Sequence, residues 1–234
     1  MKTFVLCGGL GTRLRPLTLK TPKPMLLVNG KPILFYVIDN LRKNDFTDIV
    51  LTVGYLNEQM KDYFGDGKKF GVKIDYSIEK ERLNTAGSIL PFKGKTDGTF
   101  AVVMGDHITN VNMKKMLEFH KKSKAIVTIA LQKHEQKIDY GVVDVSDSKV
   151  VAFREKPIFE HMINTGMYIC EPQIFDYIKE KEDFAHDIFP RLLKQSKKIA
   201  AYHLPDEWFD IGRLSDYENA GELLKRLNVK MLNE

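Results

Sequence analysis

No apolar run in this 234-residue chain approaches the roughly 20 residues that a membrane-crossing helix needs, so no membrane association is expected. No leader pattern precedes the first apolar stretch. The N-terminus runs directly into Phe4-Val5-Leu6-Cys7 and a glycine-rich loop, and a cytoplasmic protein is expected. Cysteine is scarce: Cys7 and Cys170 both lie in apolar, strand-like surroundings, and their spacing fits no metal or redox motif. Two buried, reduced thiols are expected rather than a disulfide. There is no Pro/Gly/Ser linker, low-complexity tract or internal repeat, which leaves a single domain over 1–234. Charge is not concentrated either. The formal net charge of +5 comes from 36 basic and 31 acidic residues, and the lysines are scattered. That balance suits an anionic substrate but gives no continuous basic face with interleaved aromatics, so a nucleic-acid binder is not expected.

What is present is an alternation of apolar strands and amphipathic helices. Phe4–Cys7, Asp48–Gly54, Val72–Ile78 and Phe100–Met104 read as strands, most of them buried on both faces. Helices are expected over Lys31–Asn44, Asn57–Phe64, Thr85–Phe92 and Asn112–Lys122. In the first, Pro32 suits the opening turn, and Ile33, Leu34, Val37, Ile38 and Leu41 share a face. After Ala125 strands crowd together: Ala125–Gln132, Gly141–Val145, Val150–Arg154 and Ile163–Cys170. Helices return at Pro172–Lys179 and Asp187–Lys194, followed by strands at Ile199–His203 and Trp208–Gly212 and a last helix over about Ser215–Leu227. This pattern predicts an α/β fold: a Rossmann-like three-layer α/β/α sandwich on a mostly parallel, mixed sheet.

The organising stretch is Leu6–Met25, LCGGLGTRLRPLTLKTPKPM. Gly8, Gly9 and Gly11 follow the first strand, then Thr12, Arg13 and Arg15, with Lys23 between Pro22 and Pro24. Glycines let the backbone turn sharply and aim N–H groups at a ligand, and fixed cations behind such a loop suit a polyphosphate. Neither standard phosphate loop is present: no Gly-Lys-Ser/Thr follows, and Leu14 stands where a dinucleotide loop has its last glycine. In an open parallel sheet, ligands sit beyond the carboxyl ends of the strands. That places Asp106, just after Phe100–Met104, in the same crevice as the glycine loop.

The full stretch, GGxGTRLRPLT followed by PKPM, resembles the signature of the sugar-1-phosphate nucleotidyltransferases, also called NDP-sugar pyrophosphorylases. PKPM is closest to mannose-1-phosphate guanylyltransferase-like members. Later segments agree in order: EKERLNTAGS at Glu79–Ser88, Gly105-Asp106, Tyr140-Gly141-Val142, Phe153-Arg154-Glu155-Lys156-Pro157, Asn164-Thr165-Gly166, and Trp208-Phe209-Asp210-Ile211-Gly212 followed by Asp216-Tyr217. Two departures stand in the segment that holds the base. Arg82 replaces a usual Pro, and Asn84 replaces a usual Gly. No C-terminal hexapeptide repeat is seen, so the β-helix that some relatives append is not expected.

The resemblance implies a nucleotide-binding part to about residue 123 and a sugar-phosphate-binding part from about 124. It places Leu6, Gly8, Gly9, Gly11, Thr12, Glu79, Thr85 and Gly87 against the nucleotide, and Gly141, Glu155 and Asn164 against the sugar. It assigns catalysis to Arg13, Lys23, Asp106, Lys156 and Asp210, with Asp106 and Asp210 as ligands of Mg²⁺. The implied reaction takes an NTP and a sugar 1-phosphate to an NDP-sugar and pyrophosphate. GTP with mannose 1-phosphate or a related sugar phosphate is the first expectation. Uridylyl, thymidylyl or cytidylyl transfer to glucose, amino-sugar or heptose 1-phosphate is the alternative. A non-catalytic nucleotide-sugar sensor or regulatory subunit is the alternative of another class, and a monomer or homodimer is expected.

Overall fold

The computed structural model describes residues 1–54, 56–205 and 207–227. In chain order its strands are β1 (Lys2–Leu6), β2 (Leu27–Val28), β3 (Lys31–Pro32), β4 (Asp48–Val53), β5 (Lys73–Ile78), β6 (Phe100–Met104), β7 (His107–Thr109), β8 (Val127–Lys137), β9 (Val142–Ser146), β10 (Lys149–Arg154), β11 (Ile158–Cys170), β12 (Ile199–His203) and β13 (Trp208–Asp210). The helices are α1 (Ile33–Lys43), α2 (Glu58–Phe64), α3 (Asn84–Gly87), α4 (Met113–Ser123), α5 (Phe189–Lys194), α6 (Leu214–Glu218) and α7 (Ala220–Arg226).

A seven-stranded sheet runs in the order β12-β8-β11-β6-β1-β4-β5. β1 pairs in parallel with β4 and β6, β4 with β5, and β12 with β8. Only β11 opposes its neighbours β6 and β8. The sheet is continuous across both halves of the chain. Its buried strands carry apolar residues on both faces, because both faces are covered. Val5, Ala101 and Val103 pack with α1 and α4 residues into one core, while Phe4, Phe100 and Val102 point the other way, into a core with Tyr168, Phe175 and Phe184. Phe4 and Phe100 meet edge to face at 5.4 Å, a favoured ring geometry.

Four expected helices are shorter or differently wound, among them Asp187–Lys194, whose first residues lie in a π-helical turn over Phe184–Ile188 ahead of α5. Thr85–Phe92 becomes α3 and a separate 3-10 turn at Leu90–Phe92, because Pro91 has no N–H to continue the ladder. Pro172–Lys179 is a 3-10 stretch over Pro172–Tyr177. The last helix divides at Asn219, whose side chain bonds back to the Ser215 carbonyl and competes with the regular ladder. Cys7 and Cys170 are buried free thiols, as expected.

Two features position the site. The parallel strands β1, β4, β5 and β6 end on one edge, delivering the glycine loop, Gly54, Glu79 and Asp106 there. A small antiparallel ribbon, β7 with β13, then brings the C-terminal segment back to that edge, with His107 opposite Asp210.

Candidate active site

The glycine loop leaves β1 and turns at Gly9, φ 116°, and Gly11, φ 57°, backbone angles that side chains rarely tolerate. A Cβ on Gly11 would also meet Thr18 Cγ2 at 2.8 Å, so this glycine is fixed by packing as well as by angle. The Thr18 hydroxyl donates to the Gly11 carbonyl at 2.8 Å and holds the loop down. The loop forms one wall of a cavity of about 520 Å³. Leu6, Gly8, Gly9, Gly11, Thr12, Arg13, Lys23, Glu79 and Asp106 all line it. A second, adjoining cavity of about 130 Å³ adds Thr85, Ser88 and Asp183.

At the closed end stands a charged cluster. Lys23 lies in a 3-10 turn, Lys23–Met25, begun by the fixed φ of Pro22 and Pro24, and its stem is buried. Its ammonium is 2.5 Å from Asp106 Oδ2 and 3.1 Å from Asp210 Oδ1. Burial alone would raise the Asp106 carboxyl, but His107 and Lys23 beside it outweigh burial and hold it below the usual carboxylate range. The second carboxylate is flanked too: the Cβ position of Gly212 lies 2.9 Å from Asp210 Oδ2 and 3.1 Å from Arg13 Nη1. Arg13 and Asp210 therefore converge on one glycine, where any side chain would intrude.

His107 joins the cluster without having been expected there. Asp106, His107 and Asp210 each offer an atom within 4.8 Å of the others, a set able to hold a metal ion. Burial pushes the His107 ring below its ordinary value, against the pull of Asp106 and Asp210. The sequence signal was an Asp-His dipeptide at a strand end, and its meaning depends on a cross-strand register that no local pattern carries. Arg82 was visible only as a departure from the family pattern. It lines both cavities and makes no ion pair or side-chain hydrogen bond among the described residues.

Other expected residues are placed differently. The Thr85 hydroxyl donates to Asp183 at 2.6 Å and accepts from the Phe184 N–H at 2.9 Å, so its polar atom is already engaged. Gly87 faces the neighbouring strap instead of the cavity. Its N–H donates to the Glu182 carbonyl at 3.0 Å, and a Cβ there would meet Lys181 N at 2.8 Å. Asn164, midway along β11 at the break in its pairing with β8, donates to the Tyr168 hydroxyl at 3.0 Å and accepts from the Gly166 N–H at 2.9 Å. Gly141 packs on Phe153 and Glu155 at the base of the β9–β10 hairpin. Glu155 and Lys156 are exposed beside it, Lys156 with φ 45°. They are outside the lining of the main cavity.

The family description of nucleotidyl transferases matches residues 2–226. The chain belongs to that family. A UTP–glucose-1-phosphate uridylyltransferase from Synechocystis sp. is 36% identical over 94% of this chain, which spans 62% of that relative's length. A D-glycero-α-D-manno-heptose 1-phosphate guanylyltransferase from Aneurinibacillus thermoaerophilus is 36% identical over 96% of this chain and 99% of its own. The solved structure of HddC from Yersinia pseudotuberculosis superposes with a TM-score of 0.77 at 28% identity, covering 95% of this chain and 99% of the other. Among the described residues, no helix is long and apolar enough to cross a membrane.

Proposed function

We propose that this nucleotidyl transferase family member transfers a nucleotidyl group from an NTP to a sugar 1-phosphate, releasing pyrophosphate, and that GTP with mannose 1-phosphate or a related sugar phosphate is its substrate pair. The observation that carries the reading is the Lys23 ammonium held between Asp106 and Asp210 beside the glycine loop. Two carboxylates closing around a cation, beside a cavity of about 520 Å³, supply hard oxygen donors that fit Mg²⁺. Asp106 and Asp210 would hold it, and when bound it would neutralise charge on the phosphate oxygens.

The remaining work falls to the protein. An oxygen of the sugar phosphate attacks the α-phosphorus in line, a new P–O bond forms, and the bond to the β-phosphate breaks. The nucleophile is already an anion, so no general base is needed. The barrier is bringing anions together in line, which positioning and charge neutralisation lower. The loop at Gly8, Gly9, Gly11 and Thr12 would cradle the phosphates, and Arg13 would neutralise the leaving pyrophosphate. Lys23 would serve the α-phosphate, released from the carboxylates when substrate enters. Glu155 and Asn164, with the Gly141 backbone, would hold the sugar, and Lys156 its phosphate.

The base preference is supported by Glu79. Its carboxylate lies 3.8–3.9 Å from the Cβ position of Gly8, on the cavity wall. A carboxylate accepts two adjacent hydrogen bonds, and guanine alone among the common bases offers N1–H and N2–H side by side. The heptose 1-phosphate relative is a guanylyltransferase, in line with this choice, whereas the Synechocystis relative is a uridylyltransferase. The test is pyrophosphate release with Mg²⁺, run as a matrix of NTPs against mannose, heptose, glucose and amino-sugar 1-phosphates. Turnover with GTP and a manno-configured phosphate is expected. Turnover confined to UTP or dTTP would discard the guanine reading, and no turnover in any pair would discard the reaction.

A further inference from the structure

His107 sits within ligand distance of the two carboxylates, and by donor type alone the cluster would be a mixed nitrogen–oxygen site suited to a transition metal. Its hydrogen bonds say otherwise. An imidazole that binds a cation through Nε2 must keep that nitrogen bare, with its proton on Nδ1 facing an acceptor. Here Nδ1 faces the Trp208 indole N–H, which donates to it at 3.2 Å. Indole nitrogen is a donor only. Nδ1 therefore carries the lone pair, and the proton of the neutral ring lies on Nε2.

Turning the ring over would place Cδ2 against the indole N–H and lose that hydrogen bond. Trp208 stands edge-on to it at 5.0 Å between centroids. On the other side the chain runs close at Gly166, φ 73°, where an added Cβ would meet Met104 Cγ at 2.7 Å and His107 Cε1 at 3.2 Å. Nε2 lies 3.5 Å from Asp106 Oδ1 and 3.6 Å from Asp210 Oδ1, on the side of the ring away from the indole. Lys23 takes the other Asp106 oxygen, Oδ2. The two carboxylate oxygens of Asp106 are thus divided, one toward the imidazole and one toward the Lys23 ammonium.

We propose that His107 is a positioning residue and not a metal ligand: Trp208 fixes it as the Nε2–H tautomer, and its N–H side faces Asp106 Oδ1, leaving Oδ2 to the cationic partner that Lys23 now supplies. The consequence is a cation site made of oxygen donors only, which suits Mg²⁺. The cation-binding half of this proposal rests on the function proposed above. The tautomer half does not.

The experiment is long-range ¹H–¹⁵N correlation on full-length protein with ¹⁵N-labelled histidine, the His107 signals being those lost in His107→Gln. The expected pattern is Nε2–H with a bare Nδ1, becoming a mixture of tautomers in Trp208→Phe. Mn²⁺, a paramagnetic stand-in for Mg²⁺, is then titrated and read by pulsed EPR. No directly bound ¹⁴N is expected. Mn²⁺ affinity should fall about tenfold in His107→Leu and return to within about threefold of wild type in His107→Gln, whose amide can also donate. An Nδ1–H pattern in the wild type, or a directly coordinated ¹⁴N, overturns the proposal. Failure of the nucleotidyl-transfer reading shows separately, as absent pyrophosphate release with the tautomer unchanged.

Discussion

Lys23 Nζ lies 2.5 Å from Asp106 Oδ2, so a protein cation stands between the carboxylates that would hold a metal ion. The pair is linked to stability. A carboxyl held below its ordinary range stabilises the fold above that range and loses the contribution as pH falls through its folded value. Asp106 is such a group, and wild-type stability should drop on acidification below about pH 4. In Lys23→Met two like charges face each other without their partner. The expected result is a loss of roughly 2 kcal/mol at neutral pH, a melting temperature that falls between about pH 4 and 8, and a larger rescue by Mg²⁺ than in wild type. Thermal melts with and without Mg²⁺ measure all three. An Mg²⁺ effect equal to that in wild type would separate Lys23 from the cation position.

Arg13→Ala and Asp106→Asn should each lower kcat for nucleotidyl transfer by about 10²-fold or more, the scale of losing one charge-stabilising group. Melting curves check that both variants fold. Near wild-type turnover in either variant removes that residue from the catalytic set.

Glu79 is half-buried, and burial raises its carboxyl against the opposing Leu83 N–H. A raised carboxyl favours the fold at low pH and disfavours it once ionised, so its charge is a cost at neutral pH. Glu79→Gln should therefore leave stability at pH 7 equal or slightly higher, while kcat/KM for GTP falls by about 10- to 100-fold, as expected for one hydrogen bond to a charged group. The preference for UTP or dTTP over GTP should rise in the same variant. An unchanged NTP ranking would place the base elsewhere.

Gly166→Ala adds a methyl group at φ 73° into Met104 and His107. The expected cost is about 1–3 kcal/mol in denaturant unfolding, from backbone strain and the close contacts together. A neutral substitution would mean that the His107 ring is free to move.

The sheet was legible because its strands are strongly apolar and its helices periodic; β6 and β12 have the bounds expected for Phe100–Met104 and Ile199–His203. Lengths in the second half were less legible. β8 and β11 run on to Lys137 and from Ile158 as an exposed ladder, where polar residues give no alternation to read. In the site, the glycine loop announced itself through local backbone demands. His107 did not, because its place is set by the β7–β13 register, and Trp208, which fixes its tautomer, lies 101 residues further on. Gly87 read as a ligand contact, but its backbone serves the strap at Lys181 and Glu182, a partnership nearly a hundred residues long that no local spacing reveals.

Asp210 meets Lys23 across 187 positions of sequence. The glycine loop, Glu79 and Asp106 can all be in place before β13 exists, since β1, β4, β5 and β6 pair without it. A chain still being synthesised would therefore hold the proposed nucleotide cleft with half of the proposed cation site. The charge balance of the cleft is completed only when β13 pairs with β7, so a segment that follows every cleft-forming strand in the chain supplies the second carboxylate.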